Sequence, residues 1–435
     1  MNGYRGKNVY EVTQERIGYI FSEFENIYLA FSGGKDSGVM LNIVLDYMRR
    51  YGIKRKVGVL YIDVEASYKR TAGFIERMYL DNLDLIEPYW VCLPMTTTNA
   101  VSMYEPFWIF WEPAKKEKWV RPMPEYGFII NKDNHPFDFY RENMTFEEFT
   151  PLFGDWYGAR HGNKKTACLI GIRADESLNR YYAVSRKDKL SYKDKSYSTE
   201  VSDNTYNFYP ICDWRTEDIW TYNGKYSKPY NSIYDLFYMA GVPLSRMRIC
   251  EPYGDEQKAW LNLFKVLEPE TWVKVVDRVS GANFGNIYCG TKAIGAKKIN
   301  LPQGHTWKSY CKFLLKTLPA ETRNIYTSKF IKFIRYWNRI GSPVSEEDIL
   351  ELDPDTIVNT RQYSKRGKGD KPVVRFRTIP DALPGLDNKT DFLSWKRMCM
   401  AILKNDITCR TLSFSMTKRQ ILRQQELIRK YEEML

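Results

Sequence analysis

The stretch IYLAFSGGKDSGVM, residues 27–40, passes from a short apolar run into a helix-like segment through a turn that contains two glycines. The run from Ile27 to Phe31 is typical of a buried strand, and residues 37–52 carry apolar side chains at helical spacing. Glycines at such a junction permit backbone conformations and close approaches that a Cβ would block. The junction therefore predicts a strand–loop–helix unit whose loop N–H groups and helix N-terminus cradle an anion.

Three further apolar runs are predicted to be buried strands. These runs cover residues 56–65, 84–95 and 166–177. Segments with helical periodicity separate the first three of the four runs. Near-continuous apolar strands that alternate with helices indicate a parallel sheet covered on both faces. We therefore predict an α/β fold with a doubly wound, mainly parallel sheet. Ligands of such sheets bind outside the carboxyl ends of the strands, where the glycine turn lies.

The pattern changes along the 435 residues, which predicts two domains. Residues 1–225 form the predicted α/β domain, with an insertion at about 96–165 that is rich in Trp and Pro. Residues 226–435 form a mostly helical C-terminal domain, which ends in a predicted helix at 417–435. The Gly- and Lys-rich segment 361–377 is predicted to be a flexible connector or a polyanion contact.

Composition restricts the class of protein and of partner. Lys and Arg exceed Asp and Glu by 65 to 53, a net charge of +12 that favours anionic partners such as nucleotides or nucleic acid. We find no signal peptide and no run of about 18 apolar residues, so no membrane span is predicted. The eight cysteines are scattered without a C-x-x-C pair, which argues against a zinc or iron–sulfur site. A reduced, cytoplasmic protein is the resulting expectation.

The motif SGGKDS (32–37) is not a Walker loop, which requires G-x-x-x-x-G-K-[ST]. Ser32 and Ser37 offer hydroxyl groups to a bound anion, and Lys35 offers a positive charge. Asp36 is unusual beside a phosphate and is better suited to brace the loop or to bind Mg²⁺. The motif therefore predicts a phosphate site of a different kind.

SGGKDS resembles the pyrophosphate-binding PP-loop of the N-type ATP pyrophosphatases, in the branch of the phosphoadenosine phosphosulfate (PAPS) reductase-like family. Three more stretches resemble motifs of that family and follow in its order: YIDVEASY (61–68), GIRADESLNR (171–180) and YPICDWRTEDIWTY (209–222). The segments 248–272 and 394–414 resemble a bacterial and phage subfamily, the immunoglobulin-binding regulator A-like proteins. Members of that subfamily carry an extra C-terminal domain of unknown function and are often encoded beside a ParB-like partner protein.

The resemblance implies a role for individual residues. It places Asp63 near the ribose or the metal, Gly171 beside the adenine, and Arg173 against a phosphate or sulfate, with Arg180 as a further candidate. Lys35, Asp36 and Arg173 are the predicted catalytic residues, and Asp36 is the predicted Mg²⁺ ligand. The residues that would hold the phosphates of the nucleotide are Ser32, Gly33, Gly34, Lys35, Asp36 and Ser37.

The implied chemistry is adenylyl transfer from ATP, or binding of a PAPS-type nucleotide, with Mg²⁺ and without an iron–sulfur cluster. Reductases of this family use a cysteine in a Glu-Cys-Gly-type tail, whereas this sequence ends in RKYEEML. A sulfonucleotide reductase with a relocated cysteine therefore remains an alternative. Two others are a non-catalytic nucleotide-binding regulator that acts with a ParB-like partner, and an enzyme of nucleic-acid modification, such as phosphorothioation in sulfur metabolism. The sequence indicates neither the acceptor nor the oligomeric state.

Overall fold

The computed structural model describes residues 6–102, 104–185, 189–249, 251–254, 261–282, 301–345, 349, 356–364, 371–383, 392–404 and 406–412. Strands and helices alternate in the first half of these residues. The strands are β1 Asn26–Ala30, β2 Val57–Ile62, β3 Ile86–Cys92, β4 Met95–Thr98, β5 Phe107–Phe110, β6 Ile129–Asn131, β7 Thr166–Ile170, β8 Ser198–Glu200 and β9 Thr205–Phe208. The helices are α1 Val9–Glu23, α2 Lys35–Arg50, α3 Lys69–Leu80, α4 Phe146–Arg160, α5 Leu178–Ser185, α6 Thr216–Lys225 and α7 Ile233–Met239.

Seven of these strands form the central sheet, in the order β6-β3-β2-β1-β7-β9-β8. All neighbouring pairs are parallel except β8 and β9, which are antiparallel. The prediction of a doubly wound, mainly parallel α/β sheet is therefore confirmed. From β1 the chain adds β2 and β3 on one side, and it later places β7 on the other side. The carboxyl ends of β1 and β7 thus form the point where the strand order reverses, which is where such sheets bind ligands.

The strand–loop–helix unit forms as the sequence predicts. Strand β1 is buried over nearly its whole length, as the apolar run from residue 27 requires. Helix α2 buries its apolar residues against the sheet, among them Val39, Ile43 and Met48. Because β1 lies in the middle of the sheet and α2 covers it, the loop between them is held on both sides by core packing.

The segment predicted as an insertion at about 96–165 belongs to the sheet domain. It supplies the edge strand β6 and helix α4, which covers the sheet. Tyr157 of α4 donates a hydrogen bond to the carbonyl oxygen of Ile27 at 3.2 Å, and its ring lies 5.4 Å from that of Tyr28. The Trp- and Pro-rich composition of this segment does not indicate regular structure. In addition, Ile129–Asn131 is too short to be recognised as a strand from the sequence.

The C-terminal half is rich in helices, as predicted. It contains α8 Leu261–Leu267, α9 Pro269–Arg278, α10 Trp307–Thr317, α11 Ala320–Ile340 and α12 Trp395–Leu403. A small antiparallel sheet, β10 Ser342–Pro343, β11 Ile357–Ser364 and β12 Lys371–Phe376, accompanies them. Strands β11 and β12 correct the prediction of a flexible connector at 361–377, since both ends of that segment are paired with each other. The helix predicted at 417–435 lies outside the described residues.

Two main hydrophobic cores follow from this arrangement. The first surrounds the sheet and continues through α7, α8 and α9 as far as Ala282. The second lies between α10, α11 and α12. Helices α8 and α9, on the C-terminal side of the predicted boundary at residue 225, thus pack on the sheet domain, and the boundary itself remains a prediction.

Candidate phosphate-binding site

The loop between β1 and α2 owes its shape to two glycines. Gly33 has a φ of +71°, a left-handed conformation that favours glycine, and a Cβ at this position would lie 2.7 Å from the side chain of Ile75. Gly34 is the N-cap residue of α2 and has no side chain that could accept a hydrogen bond from the first turn. The N–H groups of that turn must therefore find other partners. The Ser32 and Ser37 hydroxyl oxygens lie 3.1 Å apart and close the loop on itself. The loop is a preformed turn at the positive end of a helix.

Three charged side chains converge beside this loop. Asp36 accepts hydrogen bonds from Lys35 Nζ at 2.9 Å and from Arg173 Nε at 2.5 Å. All three residues are buried, and only 2% of Arg173 is exposed. Burial lowers the pKa of Arg173, but the charges of Asp36, Asp175 and Glu176 outweigh it, and the net pKa of the guanidinium is raised. The group therefore places two cations at the switch point, with Asp36 bonded to both and Asp175 paired with Arg173.

Gly171 follows β7 and lies directly against the start of α2. A Cβ on Gly171 would lie 2.8 Å from the backbone oxygen of Asp36 and 2.9 Å from Cα of Ser37. The sequence predicts contact with adenine for this glycine, but the structure fills the space with the backbone of α2. Gly171 therefore allows β7 and the loop to approach each other and brings Arg173 to Asp36.

Asp63 lies in a separate network at the end of β2. Its carboxylate is completely buried and pairs with Arg121. It also accepts hydrogen bonds from Trp90 Nε1 at 2.8 Å and from the backbone N–H of Glu65 at 3.0 Å. These contacts use both carboxylate oxygens, and none of them comes from residues 32–37.

Glu65 forms a second buried ion pair two residues further on. It accepts hydrogen bonds from Arg278 Nε at 3.0 Å and Nη2 at 3.2 Å, and from the backbone N–H groups of Trp111 and Val120. Burial raises the pKa of Glu65 although Arg278 acts in the opposite direction. Its backbone is in the left-handed region, with a φ of +62°. This pair fastens α9 to the end of β2.

Arg180 lies at the border of the site rather than in it. Its guanidinium is partly exposed and pairs with Glu176, one turn earlier in the chain. Burial, followed by the charge of Asp36, raises the pKa of Glu176. Arg180 thus meets the charged group only through Glu176. Trp214, in the fourth family motif, is buried against α1 and donates to Thr13 Oγ1 at 2.9 Å, a structural contact.

Two residues of the site have no counterpart in the motifs found in the sequence. Asn231 is completely buried and donates from Nδ2 to the carbonyl oxygen of Gly33 at 3.0 Å and to Thr71 Oγ1 at 2.9 Å. The Tyr234 hydroxyl accepts the backbone N–H of Lys35 at 3.0 Å. Asn231 precedes α7 and Tyr234 lies in its first turn, about 200 positions after the loop. The sequence Tyr-Asn-Ser-Ile-Tyr contains no local signal of this contact. The segment nonetheless holds two backbone groups of the glycine turn.

Six free cysteines occur among the described residues, and all are buried: Cys92, Cys168, Cys212, Cys311, Cys399 and Cys409. Burial raises the pKa of the Cys212 thiol to about 11 and that of Cys409 to about 12. A reactive cysteine needs an accessible thiolate, which neither of these two provides. Cys250 and Cys289 lie outside the described residues.

No group of three or more His, Cys, Asp or Glu side chains suited to a metal occurs in the part of the chain that the structure describes. Within the same part, no helix is both long and apolar enough to cross a bilayer.

The fold and the loop together define a PP-loop α/β protein. The phosphoadenosine phosphosulfate reductase domain matches residues 26–240, and a domain of unknown function (DUF3440) matches residues 241–423. The chain is 36% identical over 416 residues to the uncharacterized protein YbdN of Escherichia coli K12. The aligned region covers 94% of this chain and 91% of that protein. The chain therefore belongs to the PAPS reductase family of PP-loop proteins that carry this C-terminal domain, and the predicted resemblance is confirmed.

More distant similarities extend to an archaeon and to solved structures. The uncharacterized protein MJ0973 of Methanocaldococcus jannaschii is 27% identical over 250 residues, 55% of this chain and 47% of that protein. Candida glabrata FMN adenylyltransferase, in complex with FMN and an ATP analogue, is 17% identical with a TM-score of 0.32, over 52% of this chain and 59% of its own. PAPS reductase from Candida auris, in a phosphate complex, is 16% identical with a TM-score of 0.26, over 55% and 87% of the two chains.

Proposed function

We propose that this protein binds an adenine nucleotide, ATP or a PAPS-type ligand, through residues 32–37 and transfers the adenylyl group of ATP to an acceptor with release of pyrophosphate. One observation carries the proposal. A glycine turn whose N-cap residue provides no side-chain cap to the helix lies at the switch point of a doubly wound sheet, beside two buried cations. Membership of the PAPS reductase family supports the same reading of the loop.

The chain's own residues supply position and charge in this reaction. An oxygen of the acceptor forms a bond to the α-phosphorus while the bond from that phosphorus to the bridging oxygen breaks. The electron pair leaves with pyrophosphate, whose negative charge is stabilised by Lys35, by Arg173 and by the N-terminus of α2. No protein nucleophile is needed, because the acceptor oxygen itself attacks the phosphorus and the protein supplies only position and charge. This agrees with the burial of every described cysteine.

The predicted role of Asp36 as a Mg²⁺ ligand does not fit the geometry. One oxygen of its carboxylate accepts a hydrogen bond from Lys35 and the other from Arg173. Mg²⁺ binds through carboxylates that are open to it and keeps several waters. We therefore assign Asp36 the role of orienting Lys35 and Arg173.

The test measures nucleotide binding by calorimetry and pyrophosphate release by a coupled assay, with ATP and candidate acceptors, with and without Mg²⁺. Arg173→Lys keeps the charge but loses the planar fork that contacts oxyanions, so we expect nucleotide affinity to fall about ten- to hundredfold. Lys35→Gln should lower it by a similar factor. Lys54→Gln changes an exposed lysine that follows the C-terminal end of α2; it serves as the matched control and should bind as the wild type does.

Each other result assigns a different function. Intact nucleotide binding without pyrophosphate release under any condition would favour a regulator, and co-purification with a ParB-like partner would then be measured. Release of sulfite from PAPS that disappears on a single Cys→Ser change would favour a reductase. Absence of binding to either nucleotide would refute the phosphate site itself.

A further inference from the structure

The positive charge of this protein is not distributed evenly along its sequence. Residues 1–250 contain 33 Lys and Arg against 32 Asp and Glu, whereas residues 251–435 contain 32 against 21. The first part therefore has a net charge of +1 and the second part +11. A single nucleotide at the glycine turn does not account for that distribution. The charge of the C-terminal half is suited to binding a second anionic partner.

Much of this excess lies on two consecutive helices. Residues 301–345 contain eight Lys and Arg and one acidic residue, Glu321. We define the basic face as the six exposed side chains Lys308, Lys312 and Lys316 of α10 and Lys332, Arg335 and Arg339 of α11. The spacing of three or four residues within each helix aligns them on one side of that helix. Within the described ranges, none of the six pairs with a carboxylate.

The opposite sides of both helices are anchored in the second core. Cys311 of α10 and Phe330 and Phe333 of α11 are buried there, together with residues of α12. The N-terminus of α10 is fixed by Asp381, whose carboxylate accepts the backbone N–H groups of Trp307 and Lys308 at 2.9 and 2.8 Å. The basic face is thus displayed outward from a rigid pair of helices.

An exposed aromatic ring lies within this row of cations. Phe313 is 51% exposed and stands between Lys312 and Lys316 in the sequence of α10. Its ring is nearly parallel to that of Tyr310, with centroids 6.3 Å apart and an angle of 12° between the planes. Cations beside an exposed, stacked aromatic ring are the combination that binds the backbone and the bases of a single strand.

We infer that the basic face of α10 and α11 binds single-stranded nucleic acid, with phosphates on the Lys and Arg side chains and a base stacked on Phe313. DNA and RNA share this chemistry. An acidic protein segment would satisfy the cations but would offer no base to the exposed ring, so nucleic acid explains both features. The site is separate from the glycine turn and does not depend on the function proposed for it.

The experiment uses the full chain and fluorescence anisotropy with labelled 30-residue oligonucleotides of deoxythymidine and of uridine, at several salt concentrations. Duplex DNA and polyglutamate serve as competitors. The variants are Lys312→Gln with Lys316→Gln, and Phe313→Ala. The matched control is Lys54→Gln with Lys225→Gln, two exposed lysines outside the basic face that remove the same charge.

We expect the paired Lys312 and Lys316 variant to bind about tenfold more weakly at 100 mM salt. The slope of log K against log salt should also be shallower by about 1.4, since each phosphate contact contributes about 0.7 for single strands. Phe313→Ala should lose about tenfold in affinity with an unchanged slope, because stacking involves no counterion release. The control pair should match the wild type in both quantities.

Three outcomes would overturn the inference. One is that the wild type does not bind either oligonucleotide at 50 mM salt. Another is that the Lys312 and Lys316 variant and the control lose affinity equally, which indicates net charge alone. The third is that polyglutamate competes as well as unlabelled oligonucleotide while Phe313→Ala has no effect, which assigns the face to an acidic protein. Unequal affinities for the two oligonucleotides would show whether this face prefers DNA or RNA.

Discussion

The glycine turn after β1 and the acidic segment after β2 lie at the same edge of the sheet, yet they are used differently. In the turn, Asp36 accepts hydrogen bonds from Lys35 and Arg173, and the N-cap residue Gly34 provides no side-chain cap to the helix. In the acidic segment, Asp63 and Glu65 are completely buried and each is bound to an arginine. A carboxylate at the ligand-binding edge of an α/β sheet is therefore not by itself a ligand-binding residue.

The origin of the two arginines explains this difference. Arg121 comes from the segment between β5 and β6, and Arg278 comes from α9. A buried carboxylate requires a partner to offset its desolvation, and both arginines bring their own chain segments with them. The acidic segment thus attaches two parts of the chain to the sheet, whereas the turn is the anion site that we propose.

The largest expected effect comes from breaking the attachment of α9. Arg278→Leu leaves the charge of Glu65 buried without its partner, so we expect the free energy of unfolding to fall by about 3–5 kcal/mol in a denaturant titration. Glu270→Gln is the matched control, because it breaks the exposed pair with Lys69 that joins the same two parts of the chain. A loss of stability no larger than that of the control would contradict the structural role of Glu65.

Asp63→Asn tests which of the two regions contains the nucleotide ligands. The change leaves the buried guanidinium of Arg121 without a counterion, and we expect a loss of about 2–3 kcal/mol in the free energy of unfolding. Nucleotide affinity, measured by calorimetry, should stay within twofold of the wild type. Asp133→Asn provides an exposed control. A large drop in nucleotide affinity with unchanged stability would return Asp63 to the site.

Tyr234→Phe sharpens the description of the turn. The hydroxyl occupies the N–H of Lys35, which a phosphate oxygen would otherwise take, so its removal should raise the affinity for pyrophosphate about three- to tenfold. Stability should fall by about 1 kcal/mol, the usual value for one hydrogen bond. Tyr222→Phe, which also removes a hydroxyl bonded at 3.1 Å, should not change affinity. Weaker binding by Tyr234→Phe would instead make Tyr234 a phosphate ligand.

The smallest effect concerns the pH dependence of stability near the turn. The pKa of Glu176 is raised in the folded protein, by burial and then by Asp36, so the folded state retains a proton that the unfolded state has lost. The free energy of unfolding should therefore decrease as pH rises from the ordinary glutamate range through this higher pKa. Glu176→Gln should reduce that decrease, whereas the exposed Glu217→Gln should follow the wild-type profile. Identical profiles for all three proteins would contradict this account.

Much of the fold could be predicted because each signal is local. The apolar run at 27–31 and the helical spacing that follows it give β1 and α2 without any knowledge of their neighbours. By contrast, β6 has three residues and gains its identity only from pairing with β3. The glycine and lysine content of segment 361–377 predicts a flexible connector, yet β11 and β12 pair across it.

The sequence by itself determined the glycine turn, because a left-handed residue just before a helix start favours glycine. It also determined the family and the excess of positive charge. Tertiary structure alone decided that Gly171 accommodates the start of α2, that Asp63 and Glu65 are bound to distant arginines, and that Asn231 and Tyr234 hold the turn. These contacts join positions from 58 to more than 200 residues apart, and no local pattern records which side chains the folded chain will bring together.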